Sequence, residues 1–182
     1  MKIAFVGKGG AGKTTVSSLF CLYYSKKKSV LAIDADINMH MAELLGLNAT
    51  SSDLLLSEKY PSDKIRTWLR GDNSRIKNNA EFKKSTPPGR GSRIIDITDN
   101  NWFINNYTRP TSKNLHLATV GSYSENGLAS SCYHNNLAIL ENILSHTNDS
   151  GVVAVDMVAG TDAFASTLYA QFDMLVFAVE PT

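Results

Sequence analysis

The chain has 182 residues, enough for one hydrophobic core. Apolar residues make up 43% and charged residues 19%, which fits a water-soluble globular protein, and a net charge of +1 with both signs interspersed favours neither nucleic acid nor membrane as a bulk partner. No stretch approaches the roughly 20 apolar residues of a membrane span, and two cysteines, Cys21 and Cys132, make no disulfide framework.

The amino terminus runs directly into an apolar strand, Lys2 to Val6, leaving no room for a cleavable signal, so a cytoplasmic location is expected. Gly7-Lys8-Gly9-Gly10-Ala11-Gly12-Lys13-Thr14-Thr15 follows and fits G-x-x-x-x-G-K-[ST], a loop whose backbone N–H groups cradle nucleotide phosphates. The glycines let the main chain approach the phosphates without Cβ clashes. The helix that follows adds free N–H donors and the positive end of its dipole. Lys13 neutralises phosphate charge and the Thr14 hydroxyl ligates Mg²⁺ in this reading. The helix is expected over Thr14 to Lys28, with Val16, Leu19, Phe20 and Tyr23 as its buried stripe and Cys21 as a small core residue. Lys26-Lys27-Lys28 complements the negative end of the dipole.

Ser29 to Ile33 reads as a buried strand that completes a βαβ unit, and it ends in Asp34-Ala35-Asp36-Ile37-Asn38. Ligands of open α/β sheets sit beyond the carboxyl ends of strands, which aims both carboxylates at the phosphate site. Two acids beside phosphates require a cation or a water between them: one acid for Mg²⁺-bound water, the other for an attacking water. The competing reading is a polar turn in which Asp36 or Asn38 caps the next helix. That helix, His40 to Leu47, is short and stops at Gly46, with His40 read as a surface residue.

From about 51 to 113 the pattern weakens into a polar insertion. Ser62 to Arg70 suggests a helix, and 72–93 a long basic loop around Pro87-Pro88-Gly89-Arg90-Gly91. Few aromatics interleave with its cations, so a solvated insertion or partner-docking surface is preferred over a nucleic-acid arm. Asn114 to Val120 is the next strand. A turn-rich stretch with Ser130, Cys132 and His134 leads into a helix carrying Leu137, Leu140 and Leu144 on one face. Gly151 to Asp156 is a strand that delivers an acid, the arrangement that supports Mg²⁺ in phosphate-loop proteins. Gly160, four residues on, can set a bare N–H against a γ-phosphate, an interaction that hydrolysis would break. A helix over Thr161 to Phe172 and a buried strand over Met174 to Val179 complete the expected order.

Lys8, inside Lys8-Gly9-Gly10-Ala11-Gly12-Lys13-Thr14, is not required by the ordinary phosphate loop. With it the segment resembles the deviant Walker A signature of the ParA/MinD/nitrogenase iron protein superfamily. The resemblance implies a nucleotide-sandwich homodimer in which Lys8 reaches the partner's phosphates. It also implies a first switch with Asp34 on the Mg²⁺ side and Asp36 polarising the water, and a second switch at Asp156-x-x-Ala159-Gly160. The stretch before Leu137 resembles the carbon monoxide dehydrogenase accessory (CooC-like) branch, in which Cys-x-Cys pairs from two subunits hold a metal. Here Ser130 stands where the first cysteine would be. Cys132 then leaves two readings open, a Cys-x-His pair with His134 from each subunit holding Zn or Ni, or an interface cysteine without metal; the second is preferred.

The expected fold is α/β: a doubly wound, mostly parallel sheet with helices on both faces, built as one phosphate-loop nucleotide-binding domain over 1–182. The resemblance implies further strands beyond Thr182, so the chain reads as an amino-terminal portion with an exposed sheet edge. The expected function is an ATP-binding protein and slow Mg-dependent ATPase, switched as a dimer, acting on a metalloenzyme client. Adenine specificity is implied by the resemblance alone. The alternatives are a partitioning or positioning ATPase, or a nucleotide-binding fragment without turnover.

Overall fold

The computed structural model describes residues 1–98, 100–121, 137–159 and 167–180. Among the described residues, six strands form one sheet: β1 (Lys2–Gly7), β2 (Val30–Ala35), β3 (Arg109–Ser112), β4 (Leu115–Thr119), β5 (Val152–Met157) and β6 (Met174–Ala178). Their order is β3-β4-β2-β5-β1-β6, with every pairing parallel except β3 against β4. The helices are α1 (Lys13–Tyr24), α2 (Met41–Leu44), α3 (Lys59–Arg70), α4 (Trp102–Tyr107) and α5 (Leu137–Ser145).

Both faces of the sheet are covered, which is why β2 and β5 are buried at every position and read as continuous apolar runs. The two-residue period of a strand divides the core in two. Ile3 and Phe5 of β1 join Cys21, Ala32, Met41, Leu117 and Ala154 beneath α1 and α2. Ala4 and Val6 face the other way, into the larger core with Ile33, Phe103, Leu140 and Val155.

Three expectations change once the chain is folded. The first concerns α1, whose buried residues are Lys13, Ser17, Ser18 and Cys21, while Val16, Leu19 and Tyr23 stand in solvent at 45%, 60% and 57% exposure. Of the expected stripe, Phe20 alone packs inward, at 5.5 Å from the Phe5 ring. Small side chains form the inner face because the short loop after β1 brings the helix start close to the sheet. The helix also ends at Tyr24, and Lys26 to Lys28 lie in the turn beyond.

The second is the region 51–113, which is welded to the core instead of standing off it. Leu56 and Ser57 donate their main-chain N–H groups to Thr119 and Val120 at 3.0 and 2.9 Å, and Ile95 donates to His146 at 2.8 Å. Asn142, fully buried on α5, donates to the carbonyls of Lys83 and Lys84 at 2.8 and 2.9 Å. Ile65, Leu69, Ile76, Phe82 and Ile95 are buried here, spaced too irregularly to show as a period. The third is β6. It lies at the sheet edge with Met174 and Phe177 half-exposed, so it is not the buried strand its composition suggests.

Candidate functional site

Strand order brings the site together. β5 lies between β1 and β2, so the loop after β1, the acids after β2 and the acid at the end of β5 converge on one crevice at the carboxyl end of the sheet. The register pairs Phe5 with Asp156 and Asp34 with Asp156, placing the two carboxyl residues side by side.

The loop itself is set by backbone geometry. Gly7 has φ +148°, and a Cβ there would collide with the Ala178 carbonyl oxygen of β6. Gly12 has φ +82°, the left-handed conformation from which α1 starts. Lys13, nearly buried, folds its ammonium onto the Lys8 carbonyl at 3.4 Å. An open cavity of about 770 Å³ is lined by the loop residues Gly9, Gly10, Gly12, Lys13, Thr14 and Thr15 and closed on its other side by Asp36, Asn38, His40, Glu43, Leu44 and Ala159. That volume lies within the range of small-molecule and cofactor sites.

Three carboxylates stand here in three different states. Asp156 is 0% exposed, and neither oxygen has a hydrogen-bond partner among the described residues. Burial pushes its pKa up to about 6; the nearby Thr14 hydroxyl opposes that push, Asp36 adds to it, and Lys13 and the Ser17 hydroxyl oppose it. Asp34 is also 0% exposed, but its oxygens are engaged: Oδ1 accepts from the Asp36 N–H at 3.2 Å and Oδ2 from the Met41 N–H at 3.0 Å. Burial pushes it up to about 7 against those two bonds, with Asp156 and Asp36 adding their repulsion. Asp36 faces the cavity and accepts two bonds from Asn38.

A buried carboxylate without a partner is costly. Beside a phosphate loop, the chemistry of its donor set suits a hydrated divalent cation shared with the Thr14 hydroxyl. The residues present therefore fit Mg²⁺: Thr14 and Asp156 are the groups that could hold it, while Asp34 braces the turn between β2 and α2. Gly7 at the end of β1, the loop residues Lys8, Gly9, Gly10, Ala11 and Gly12, and Lys13, Thr14 and Thr15 at the start of α1 form one continuous turn, and Asp34, Asp36 and Asp156 are brought to it. Gly160, Cys132 and His134 lie outside the described residues. Among those described, no group of three or more His, Cys, Asp or Glu side chains gathers as a metal cluster would. No described helix is long and apolar enough to cross a membrane.

Sequence reasoning missed Ser17, His40, Glu43, Leu44 and Asn38 as members of this site. Ser17 was legible in principle, three residues after Thr14 and so on the same helix face. His40, Glu43 and Leu44 come to the cavity through the turn after Asp36, which no spacing rule predicts.

Comparison with known proteins agrees with this geometry. The CobQ/CobB/MinD/ParA nucleotide binding domain matches residues 3–168. An uncharacterized ATP-binding protein of Methanocaldococcus jannaschii is 26% identical over 188 residues, covering 100% of this chain and 68% of the relative. The carbon monoxide dehydrogenase accessory protein CooC of Rhodospirillum rubrum is 29% identical over 184 residues, covering 100% of this chain and 63% of the relative. Among solved structures, a ParA family ATPase from Chlorobium tepidum aligns with a TM-score of 0.55 at 14% identity, over 97% of this chain and 59% of that one, which supports the fold. The chain thus spans about two thirds of the length of these relatives. It belongs to the CobQ/CobB/MinD/ParA nucleotide-binding domain family.

Proposed function

We propose that this nucleotide-binding domain takes ATP with Mg²⁺ and hydrolyses it slowly as a switched homodimer. The observation that carries the reading is Asp156, a buried carboxylate without a hydrogen-bond partner among the described residues, set beside a phosphate loop. Such a group is retained when a ligand supplies the missing partner. Thr14 and Asp156 would hold Mg²⁺, with Asp34 reaching it through water, and the ion would supply charge neutralisation across the phosphates. The chain's own residues do the rest. Loop N–H groups and the start of α1 bind the phosphates. Lys13 leaves the Lys8 carbonyl to neutralise charge on the transferred phosphoryl, and Lys8 does the same for the partner's nucleotide. Asp36 accepts a hydrogen bond from the attacking water and orients it. Phosphoryl transfer is largely positioning plus electrostatics, and these residues provide both.

Gly160, following Ala159 in the chain, reports the γ-phosphate to the second switch in this reading. For the client process we favour maturation of a metal centre, on the likeness to the carbon monoxide dehydrogenase accessory protein over the full chain. A shared Zn or Ni at Cys132 is the secondary form of that idea, and metal stoichiometry of the dimer before and after Cys132→Ser checks it.

The decisive experiment measures ATP turnover and dimerisation of the 182-residue chain together with Lys8→Ala and Asp36→Ala. Wild type is expected to dimerise and turn over, Lys8→Ala to lose both, and Asp36→Ala to dimerise with turnover cut to a small residual rate. A wild-type chain that binds ATP yet never hydrolyses it would refute the enzymatic part.

A further inference from the structure

The turn between β2 and α2 has a geometry that its neighbours alone do not demand. Asn38 directs two donors at a single atom: its main-chain N–H and its side-chain Nδ2 each reach Oδ1 of Asp36 at 3.0 Å. Neither bond uses Oδ2, and Asp36 and Asn38 both line the cavity wall. Asn38 is exposed, and the described residues give its side chain no other partner.

The backbone around it is fixed from two directions. Asp34 accepts from the N–H groups of Asp36 and Met41, pinning both ends of the turn. Met39, between Asn38 and His40, has φ 52°, the only non-glycine in the left-handed region among the described residues. A long side chain rarely adopts that conformation, and such outliers persist where surrounding contacts over-determine them. Here it lets the chain turn within a few residues from solvent-facing Asn38 to fully buried Met41.

We infer that Asn38 is a positioning residue for Asp36. One N–H on a carboxylate leaves it free to rotate about its Cβ–Cγ bond. A second donor on the same oxygen fixes that rotation and presents Oδ2 at one angle. A group that orients an attacking water must hold hydrogen-bond geometry at the moment of reaction, so fixing this plane raises the chemical rate without adding to nucleotide affinity. The inference rests on the reading of Asp36 as the water-orienting acid.

The test is steady-state ATP hydrolysis by the full chain as wild type, Asn38→Ala, Asp36→Ala and the double variant, alongside affinity for ADP. Asn38→Ala is expected to lower kcat at least tenfold while KM and ADP affinity stay within twofold. In the Asp36→Ala background, Asn38→Ala should cost nothing more, because a residue that acts through another has no effect once that other is gone. A second readout is independent of turnover. In the nucleotide-free protein, the Asn38 side-chain amide protons should exchange with solvent more slowly than those of a free asparagine, and Asp36→Ala should abolish that protection. Loss of less than twofold in kcat, equal loss in both backgrounds, or unprotected amide protons in wild type overturns the role given to Asn38. Should Asp36→Ala itself turn over at the wild-type rate, the hydrolytic reading of Asp36 fails first and takes this inference with it.

Discussion

Asp156→Asn should make the nucleotide-free protein more stable at high pH and no more stable at low pH. Burial lifts the Asp156 carboxyl from its ordinary 3.8 to about 6. The native state therefore holds that proton about 3 kcal/mol more tightly than the unfolded chain does. The sign is opposite to that of a salt-bridged carboxylate. Between pH about 4 and about 6 the native state binds more protons than the unfolded state, so stability falls as pH rises. Below that window the native and unfolded states both carry the proton and there is no cost; above it the whole cost is present.

Asparagine has the same shape and no charge. Its own buried amide costs about 1–3 kcal/mol where it lacks partners, so the net gain at pH about 8 is about 0–2 kcal/mol. For a chain of this size that raises Tm by at most roughly 8 °C. The firmer quantity is the change in the mutant-minus-wild-type difference between pH about 4 and pH about 8, on the order of 3 kcal/mol, since the amide cost cancels. Denaturant melts in EDTA at several pH values measure it directly. A difference that stays within about 0.5 kcal/mol across that range would refute the claim that this carboxylate is buried and unpartnered. With nucleotide and Mg²⁺ added, the order should reverse, because wild type gains a ligand that the variant holds poorly.

Gly7→Ala should disrupt the β1–β6 edge and weaken nucleotide binding together, since the new Cβ would collide with the Ala178 carbonyl; a loss of about 2–4 kcal/mol in denaturant melts is expected. Asn142→Ala leaves the Lys83 and Lys84 carbonyls and the Arg66 guanidinium without their shared partner; about 2–4 kcal/mol of stability should go, with faster proteolysis within 72–93. On α1, Leu19→Ser should change stability by no more than about 0.5 kcal/mol, whereas Ser18→Leu should cost about 1–3 kcal/mol by overpacking the inner face. Equal effects from the two would show that the helix is seated as its apolar residues suggest and not as described above.

Much of this site is legible in the sequence alone. A glycine-rich loop between strand and helix, Asp34 and Asp36 at one strand end and Asp156 at another are local signals, because each depends on residues adjacent in the chain. The parallel strands after Ser29, Asn114 and Gly151 were equally clear, since a strand covered on both faces must be apolar throughout. Other signals misled. In α1 the periodic apolar residues pointed to the wrong face, because how closely the helix must approach the sheet depends on packing against β1 and β5. The region 51–113 looked solvated because its core residues touch strands and helices far along the chain.

Only the tertiary structure decided how the acids divide their work. Strand order sets Asp34 and Asp156 side by side, far apart as they are along the chain, and no spacing rule contains that order. Both are buried acids at strand ends, yet one has its oxygens taken up by main-chain N–H groups and the other has no partner among the described residues. The sequence by itself determined which chemistry this chain carries, because phosphate binding needs particular residue types at fixed local spacing. The fold decided which carboxylate braces, which is buried without a partner among the described residues and which faces the cavity, because hydrogen bonding and burial are properties of neighbours in space.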